Sequence, residues 1–576
     1  MIMKRLATWM LCSVLFAAPV SAQEGQEIIE HRGDRYVINV DAMKPDKELT
    51  LMDVLQTCPE LLSDNGKQLN ADYEIRVDNV ALVMDYETVL ETLKASDINT
   101  IQVYLTSAVS TGGSGHGGII DIYLKEQPDG STSGRLQLEG STRGCGNAFA
   151  HIATQTGNVT VRGYALTNLK YGRSTPTDCD GLSTRAGLEN VHLDIDWKLS
   201  ERDDLKIKLT QNFLDDKVHT TDDDAADITA LHRYWGGVAQ YTRTLNDRGA
   251  TVMAEGGVEY QKTNVENVKQ QDCLTYYITE ATIPFLNNAL TMLAGWEIDY
   301  DNLLTTRYDR QQMLFNDLYL QFDYTKGPWV LTLGDRLRIV NYWHRPYNAS
   351  DNSLWGNNRT ENSYLASAGY KTGGHFVQGM FSHDYITPLI YNFITYDENM
   401  NRQYHSDILT NMVYLAEARY AYQQADLAVS GSVIHSWSTD AILADEQYTG
   451  IRASATWRKG CLRLTAGADF YHGRVKGSEN DIDRSDNFFS LRLLPTLVLG
   501  GGLRISSRLL YNSQQYLLFD LPAHLYASVK VSKDLGRHCT LSADFHDLAG
   551  LPEMTSLQSI RAYDNRAVTF GFIYRF

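Results

Sequence analysis

His192 and Asp194 stand two residues apart in an alternating stretch, 191–198, so both side chains leave one face of an extended chain. A histidine beside a carboxylate is half of a general-base apparatus. The other half, a Gly-x-Ser-x-Gly turn or a His-Glu-x-x-His pair, does not occur in the sequence. The pair is therefore read as polar lining of a strand, and no catalytic residue is expected. Asp215, Asp216, Asp222, Asp223, Asp224 and Asp227 gather hard oxygen ligands that would suit calcium, but the spacing is not that of an EF-hand. A solvated acidic loop is the favoured reading, and no metal or cofactor is assigned. Gly112, Gly113, Gly115, Gly117 and Gly118 lack the Gly-Lys-Ser/Thr ending and following helix of a phosphate cradle. They read instead as positions needing unusual backbone angles or close approach. Trp343, His344, Tyr347 and Trp355 lie among Asn and Ser, as either a sugar- or peptide-binding surface or a set of interfacial anchors.

These groups depend on strands to position them. In the last nine residues Val568, Phe570, Phe572, Tyr574 and Phe576 share one face, while Thr569, Gly571, Ile573 and Arg575 share the other. A strand between lipid and a polar lumen reads this way. The other end of the chain fits an exported protein. Lys4 and Arg5 precede an apolar stretch, 6–18, and Val20-Ser21-Ala22 closes it, giving an expected signal peptide over 1–22. Nothing later reaches eighteen consecutive apolar residues, so no membrane-spanning helix is expected. Thirty-four Tyr and nine Trp against twelve Pro suit aromatic girdles, and mean hydropathy is slightly negative. A net charge of −18 argues against nucleic acid as a partner. Six cysteines follow the leader, Cys58, Cys145, Cys179, Cys273, Cys461 and Cys539, with no CxxC spacing. Cys145 and Cys179 either clip neighbouring loops or remain single thiols, the favoured state for most of the six.

The chain changes character near residue 130. Before it lies a small α/β pattern: strands over 33–40, 75–80, 98–105 and 118–125, and helices over 49–62 and 86–93. Beyond it comes strand after strand, as in 191–198, 205–209, 318–324, 329–333, 462–466 and 540–545. Roughly twenty residues per strand and loop give about 22 strands, within a range of about 18 to 22. Short turns at Ala425-Asp426 and Lys326-Gly327-Pro328 are expected on the periplasmic side, and long polar loops over 215–231, 342–363, 383–407 and 472–487 outside.

With those strands placed, residues 33–134 resemble the plug domain of TonB-dependent outer-membrane receptors. The landmarks run in order. They are Leu51-Met-Asp-Val-Leu-Gln-Thr-Cys-Pro-Glu-Leu61, Ile75-Arg-Val-Asp-Asn79, Ile98-Asn-Thr-Ile-Gln-Val103, the glycine-rich 107–118, and Gly117-Gly-Ile-Ile-Asp-Ile-Tyr-Leu-Lys125. The C-terminal strand also fits, and its final Phe576 is similar to the signal read by the barrel assembly machinery. The resemblance implies an all-β transmembrane barrel of antiparallel strands with a small α/β N-terminal plug domain inside the lumen. The expected divisions are 1–22 signal peptide, 23–32 periplasmic segment, 33–133 plug and 134–576 barrel.

The resemblance also implies a function: uptake of a scarce ligand, small or oligomeric, driven by TonB pulling on an N-terminal box. Glu27, Ile28, Ile29 and Glu30 are the one candidate for that box, or else they simply begin the first plug strand. Ligand contacts are expected at plug turns Asp78, Asn79, Ser110, Ser114 and His116, and at outer-loop residues Trp343, Tyr347 and Trp355. Outer-membrane lipid surrounds such a barrel, and a surface lipoprotein is a further candidate partner. The alternative is a non-transporting surface-binding or partner-docking outer-membrane barrel that keeps a plug without energy coupling.

Overall fold

The computed structural model describes residues 29–40, 42, 49–55, 73–78, 80–81, 93–104, 109, 118–142, 146–173, 183–219, 228–265, 268–305, 310–345, 355–386, 394–396, 402–404, 411–424, 426–439, 445–477, 483–517, 520–521, 523–546, 548–549 and 567–576. The first part is a six-stranded sheet made of β1 (Ile29–His31), β2 (Arg35–Asn39), β3 (Tyr73–Val77), β4 (Val80–Ala81), β5 (Ile98–Tyr104) and β6 (Gly118–Leu124). Its order is β1-β2-β5-β6-β3-β4, with β3 and β6 parallel. A short helix, α1 (Leu51–Leu55), packs Leu51, Val54 and Leu55 against Tyr36, Ile38, Ile101 and Ile122. The alternation of β2 sends Tyr36, Ile38 and Val40 into this core. The expected helix over 86–93, all but its last residue, and the second half of the one over 49–62 fall outside the described residues.

The barrel begins with β7 (Thr132–Ser141), β8 (Gly146–Thr156), β9 (Val159–Arg173), β10 (Ser183–Lys198), β11 (Asp203–His219), β12 (Ile228–Thr244) and β13 (Thr251–Val265). It continues through β14 (Val268–Phe285), β15 (Leu290–Thr305), β16 (Arg310–Lys326), β17 (Trp329–Arg345), β18 (Trp355–Thr372) and β19 (His375–Ile386). A loop hairpin, β20 (Ile394–Tyr396) and β21 (Arg402–Tyr404), precedes β22 (Asn411–Gln424), β23 (Leu427–Thr439), β24 (Asp445–Lys459), β25 (Leu462–Lys476), β26 (Asp483–Leu499) and β27 (Leu503–Asn512). A second small pair, β28 (Gln515–Tyr516) and β29 (Asp520–Leu521), leads to β30 (His524–Leu535), β31 (Cys539–His546) and β32 (Ala567–Arg575). Twenty-two of these strands close into one antiparallel barrel, as the alternation predicts, with β32 pairing β7 at the seam. At the seam Gly134 and Phe576 exchange backbone hydrogen bonds at 3.1 Å in both directions, and the Phe576 ring lies over Gly134.

Outward faces carry the apolar set: Leu333 is 62% exposed, Phe570 59% and Val191 55%. Apolar exposure repeated around a whole barrel is an interface with lipid. Two aromatic rows bound it on β18. Near the short turns Trp329 and Tyr370 meet edge to face at 5.0 Å. Six residues further along, Tyr364, His383, Tyr414 and Trp437 form a cross-strand row with ring centroids 4.9, 4.3 and 4.6 Å apart. Six residues of strand span about 20 Å, which with the rings themselves suits an outer-membrane hydrocarbon belt.

The long-loop side differs from the sequence reading. Residues 215–219, 228–231, 342–345, 355–363, 472–476 and 483–487, expected in loops, continue the strands. An antiparallel ladder satisfies its own backbone whether or not lipid surrounds it. Above the belt both faces are wet, so the sequence loses its alternation while the strand persists. Among the described residues Cys273, Cys461 and Cys539 are free thiols, whereas Cys145 and Cys179 lie outside them.

Candidate functional site at the plug and barrel wall

The plug sheet lies inside the barrel and is held by contacts to inward-facing side chains around the lumen. Four of these contacts define the site.

The first is a polar notch for Gly33 and Asp34, in the turn between β1 and β2. The Gly33 carbonyl accepts from the Gln378 amide at 2.6 Å and from the Ser367 hydroxyl. The Gln321 amide donates to Asp34 at 3.0 Å. Thr332 packs so closely on Gly33 that a Cβ there would overlap its hydroxyl. Gln321, Thr332, Ser367 and Gln378 come from β16, β17, β18 and β19 and are all buried. Nearby, the Ile29 amide donates to Gln423 at 3.3 Å, next to the β22–β23 turn. The Arg419 guanidinium lies 4.2 Å from the Tyr36 ring centroid, a favourable cation–π distance.

The second contact holds Val109. Its side chain is buried against Tyr319, Leu365 and Met380, and a Cβ on Gly334 would stand 2.9 Å from it. Its carbonyl accepts from Arg336 Nη1 at 3.1 Å. Arg336 is in turn fixed by Asp317, through Nε at 2.8 Å, and by Glu297, while Arg338 reaches the same Asp317 at 2.7 Å. Asp317 and Arg336 are almost wholly buried, so each needs the other: an unpaired ion in such a site costs several kcal/mol, of order 3–5.

The third contact holds the turn at Asp78, which is buried beside Arg162 of β9, close to the β8–β9 turn. Its carboxylate accepts from the Leu124 amide at 3.1 Å and lies 3.6 Å from Arg162, three residues into β9. Lys206 donates to its carbonyl at 3.1 Å and Lys208 to that of Val77. Burial raises its carboxyl, and Lys208, Lys206 and Arg162 offset only part of that rise. The residue sits at φ 52°, a left-handed conformation that Asp accepts more readily than most residues, so the turn needs no glycine.

The fourth is an ion pair between Asp97 and Arg135 of β7 at 2.6 Å. Burial alone would raise the Asp97 carboxyl; Arg135, with His151 behind it, reverses this and holds it below the usual range. Asp97, Arg135, His151, Arg162 and Arg575 line a crevice of about 620 Å³ that reaches the seam.

Of the other sequence-expected residues, Ile29 and Glu30 belong to β1, where they pair with Ile38 and Val37. Trp343 lies in β17 opposite Gly356 of β18, so it stands on the wall rather than in a loop, and Trp355 begins β18. Glu27, Ile28, Asn79, Ser110, Ser114, His116 and Tyr347 lie outside the described residues. His192 and Asp194 do meet, at 2.7 Å, with Thr210 on the other ring nitrogen at 2.6 Å. They lie on the inner wall, as the alternation predicts. The notch residues were not singled out from sequence. The signal for Asp317, Arg336 and Arg338 was present, as charges in the inward phase of β16 and β17.

No family model matches the sequence, and no curated protein matches it either. Solved structures do match. The siderophore receptor PiuA from Acinetobacter baumannii superposes with a TM-score of 0.71 at 11% identity, over 97% of this chain and 99% of that one. The copper transporter OprC gives 0.74 at 12%, over 97% and 100%. The ferric yersiniabactin uptake receptor FyuA from Yersinia pestis gives 0.70 at 13%, over 95% and 98%. The chain therefore shares, end to end, the fold of plugged outer-membrane receptors.

Proposed function

We propose that this plugged barrel is an outer-membrane receptor that imports a scarce nutrient, energised through TonB at the periplasmic, short-turn side. The observation that carries the reading is a folded plug pinned to the lumen wall by buried hydrogen bonds and ion pairs. Such a pore stays shut until work is done on the plug, because each buried polar contact costs about 1–3 kcal/mol to break unreplaced. Ligand would meet the chain at Ser110, Ser114 and His116 and at the rim carrying Trp343, Tyr347 and Trp355. The siderophore, iron and copper proteins that share the fold put metal chelates first among ligands to screen. Phe576 would serve as the assembly signal, and the outward face would contact membrane lipid.

One observation favours a second reading, a docking barrel without energy coupling: Ile29 and Glu30, half of the candidate TonB box, are committed to β1. Single cysteines from Gln26 to His31, in a chain freed of its native thiols, separate the two. Position-specific crosslinks to the periplasmic domain of TonB in cells are the expected result. Their absence at every position, with ligand present and the barrel at the surface, would leave the docking reading.

A further inference from the structure

Two of the wall contacts occupy the same panel of barrel. Gly33 and Asp34 are held by Gln321, Thr332, Ser367 and Gln378. Val109 is held by Tyr319, Gly334, Leu365 and Met380. On each of the four strands β16 to β19 the two contact residues are therefore two positions apart, on one face and about 7 Å from each other. The sets also interlock across strands, since Gln321 pairs directly with Gly334 and Ser367 with Met380. Cross-strand partners lie only about 5 Å apart.

The plug joins the same two points from its own side. Arg35, next to Asp34, pairs with Tyr104 at the end of β5. Its guanidinium donates to the Tyr104 hydroxyl at 3.1 Å and stacks 4.9 Å from the ring centroid. Tyr104 lies five residues before Val109 in the chain. The described contacts thus link Gly33, Arg35 and Tyr104 on the plug side, and both the Gly33 notch and the Val109 seat meet on one wall panel. Close-packed elements of this kind move between discrete arrangements rather than deforming smoothly.

We infer that the Val109 seat and the Gly33–Asp34 notch form one latch, in which release of either weakens the other. The latch rests on the receptor reading for its use. Val109 directly precedes Ser110, a proposed ligand contact, and Gly33 lies two residues beyond His31, the end of the segment proposed to meet TonB. Ligand at the first would thus change how tightly the second is held, without contact between the two sites.

The test reads protection of β1. Ile29 is half-buried against the plug core, so Ile29→Cys, in a chain freed of its native thiols and placed in lipid nanodiscs, labels slowly with a maleimide while the latch is shut. Gln378→Ala is expected to raise the labelling rate, and Val109→Ala to raise it comparably, about fivefold or more. The double variant is expected to fall well short of the product of the single effects. Leu365→Ala, from the wall side, repeats the test should Val109→Ala fail to assemble, and heat-modifiable migration confirms barrel closure for each variant. A background labelling rate in both Val109→Ala and Leu365→Ala, or a double variant equal to the product, overturns the latch. No TonB is present in this experiment, so failed crosslinking in cells would sink the transport reading and leave the latch intact.

Discussion

Substituting Gly33 by alanine should undock the N-terminal part of the plug while sparing the barrel. The added methyl would overlap the Thr332 hydroxyl, stand 2.9 Å from Thr332 Cβ and 3.4 Å from Ser367 Oγ. Rotating Thr332 does not relieve the contact with its Cβ, and its hydroxyl is already committed to Asp323 at 2.6 Å. The plug backbone must therefore shift. Overpacking of this kind costs about 1–3 kcal/mol. Displacing the Gly33 carbonyl also strains its two hydrogen bonds, each worth about 1 kcal/mol. The sum, about 3–5 kcal/mol, corresponds to a rise in local opening of roughly 160-fold to several thousand-fold. Amide hydrogen exchange in nanodiscs should find that rise in β1 and β2 and leave the strands of the barrel unchanged. Adding Thr332→Gly, which removes the obstructing atoms, should restore part of the protection. Unchanged exchange in the Gly33→Ala plug, or equal loss in distant barrel strands, would refute the reasoning.

Three further outcomes are expected. Leu333→Arg places a cation on the lipid face and should make refolding into bilayers less favourable by about 2–4 kcal/mol at mid-depth, with Leu333→Phe nearly neutral; equal stability of the two would contradict lipid exposure there. Asp97 binds its proton at higher pH undocked than docked, so its contribution is complete above the ordinary carboxylate range, near 3.9, and is lost as the pH falls through the lowered docked value. Plug protection should therefore weaken on acidification, and Asp97→Asn should flatten that part of the profile; an unaltered profile counts against the ion pair. Gly134→Val would drive a side chain into the Phe576 ring and should reduce the heat-resistant closed species, whereas Gly140→Val, with open space around it, should not; identical migration would show that the ring does not need the glycine.

Much of this architecture is written in local pattern. The alternation of Val191, Leu193, Ile195 and Trp197 against His192, Asp194 and Asp196 reports lipid on one side and lumen on the other. Repeated along the chain, it marks a barrel, and the length of that region at about twenty residues per strand and loop gave about 22 strands. The plug core was legible for the same reason, since Tyr36, Ile38 and Val40 mark the buried face of a short strand. Strand length was not legible, because above the belt water wets both faces and residues such as Asp215 and Asn358 no longer alternate with apolar ones. The wall contacts were hidden more deeply. Gly33 meets Ser367 and Gln378 across more than three hundred residues, and each partner is an ordinary inward polar residue until the plug fills the space beside it.

The seam between Gly134 and Phe576 also sets the order of events in making the molecule. Its hydrogen bonds continue the pairing of the first barrel strand with β32, so the cylinder closes only when that strand is in place. While that last strand is missing, β7 and β31 each present an unpaired edge beside an unfinished apolar surface, the condition under which sheets aggregate. Such long-range pairing is also intrinsically slow to find. Closure accordingly waits on the last strand, whatever the other twenty-one have already formed. A loss of its last few residues would act as a defect of assembly, however intact the plug and every proposed ligand contact remained.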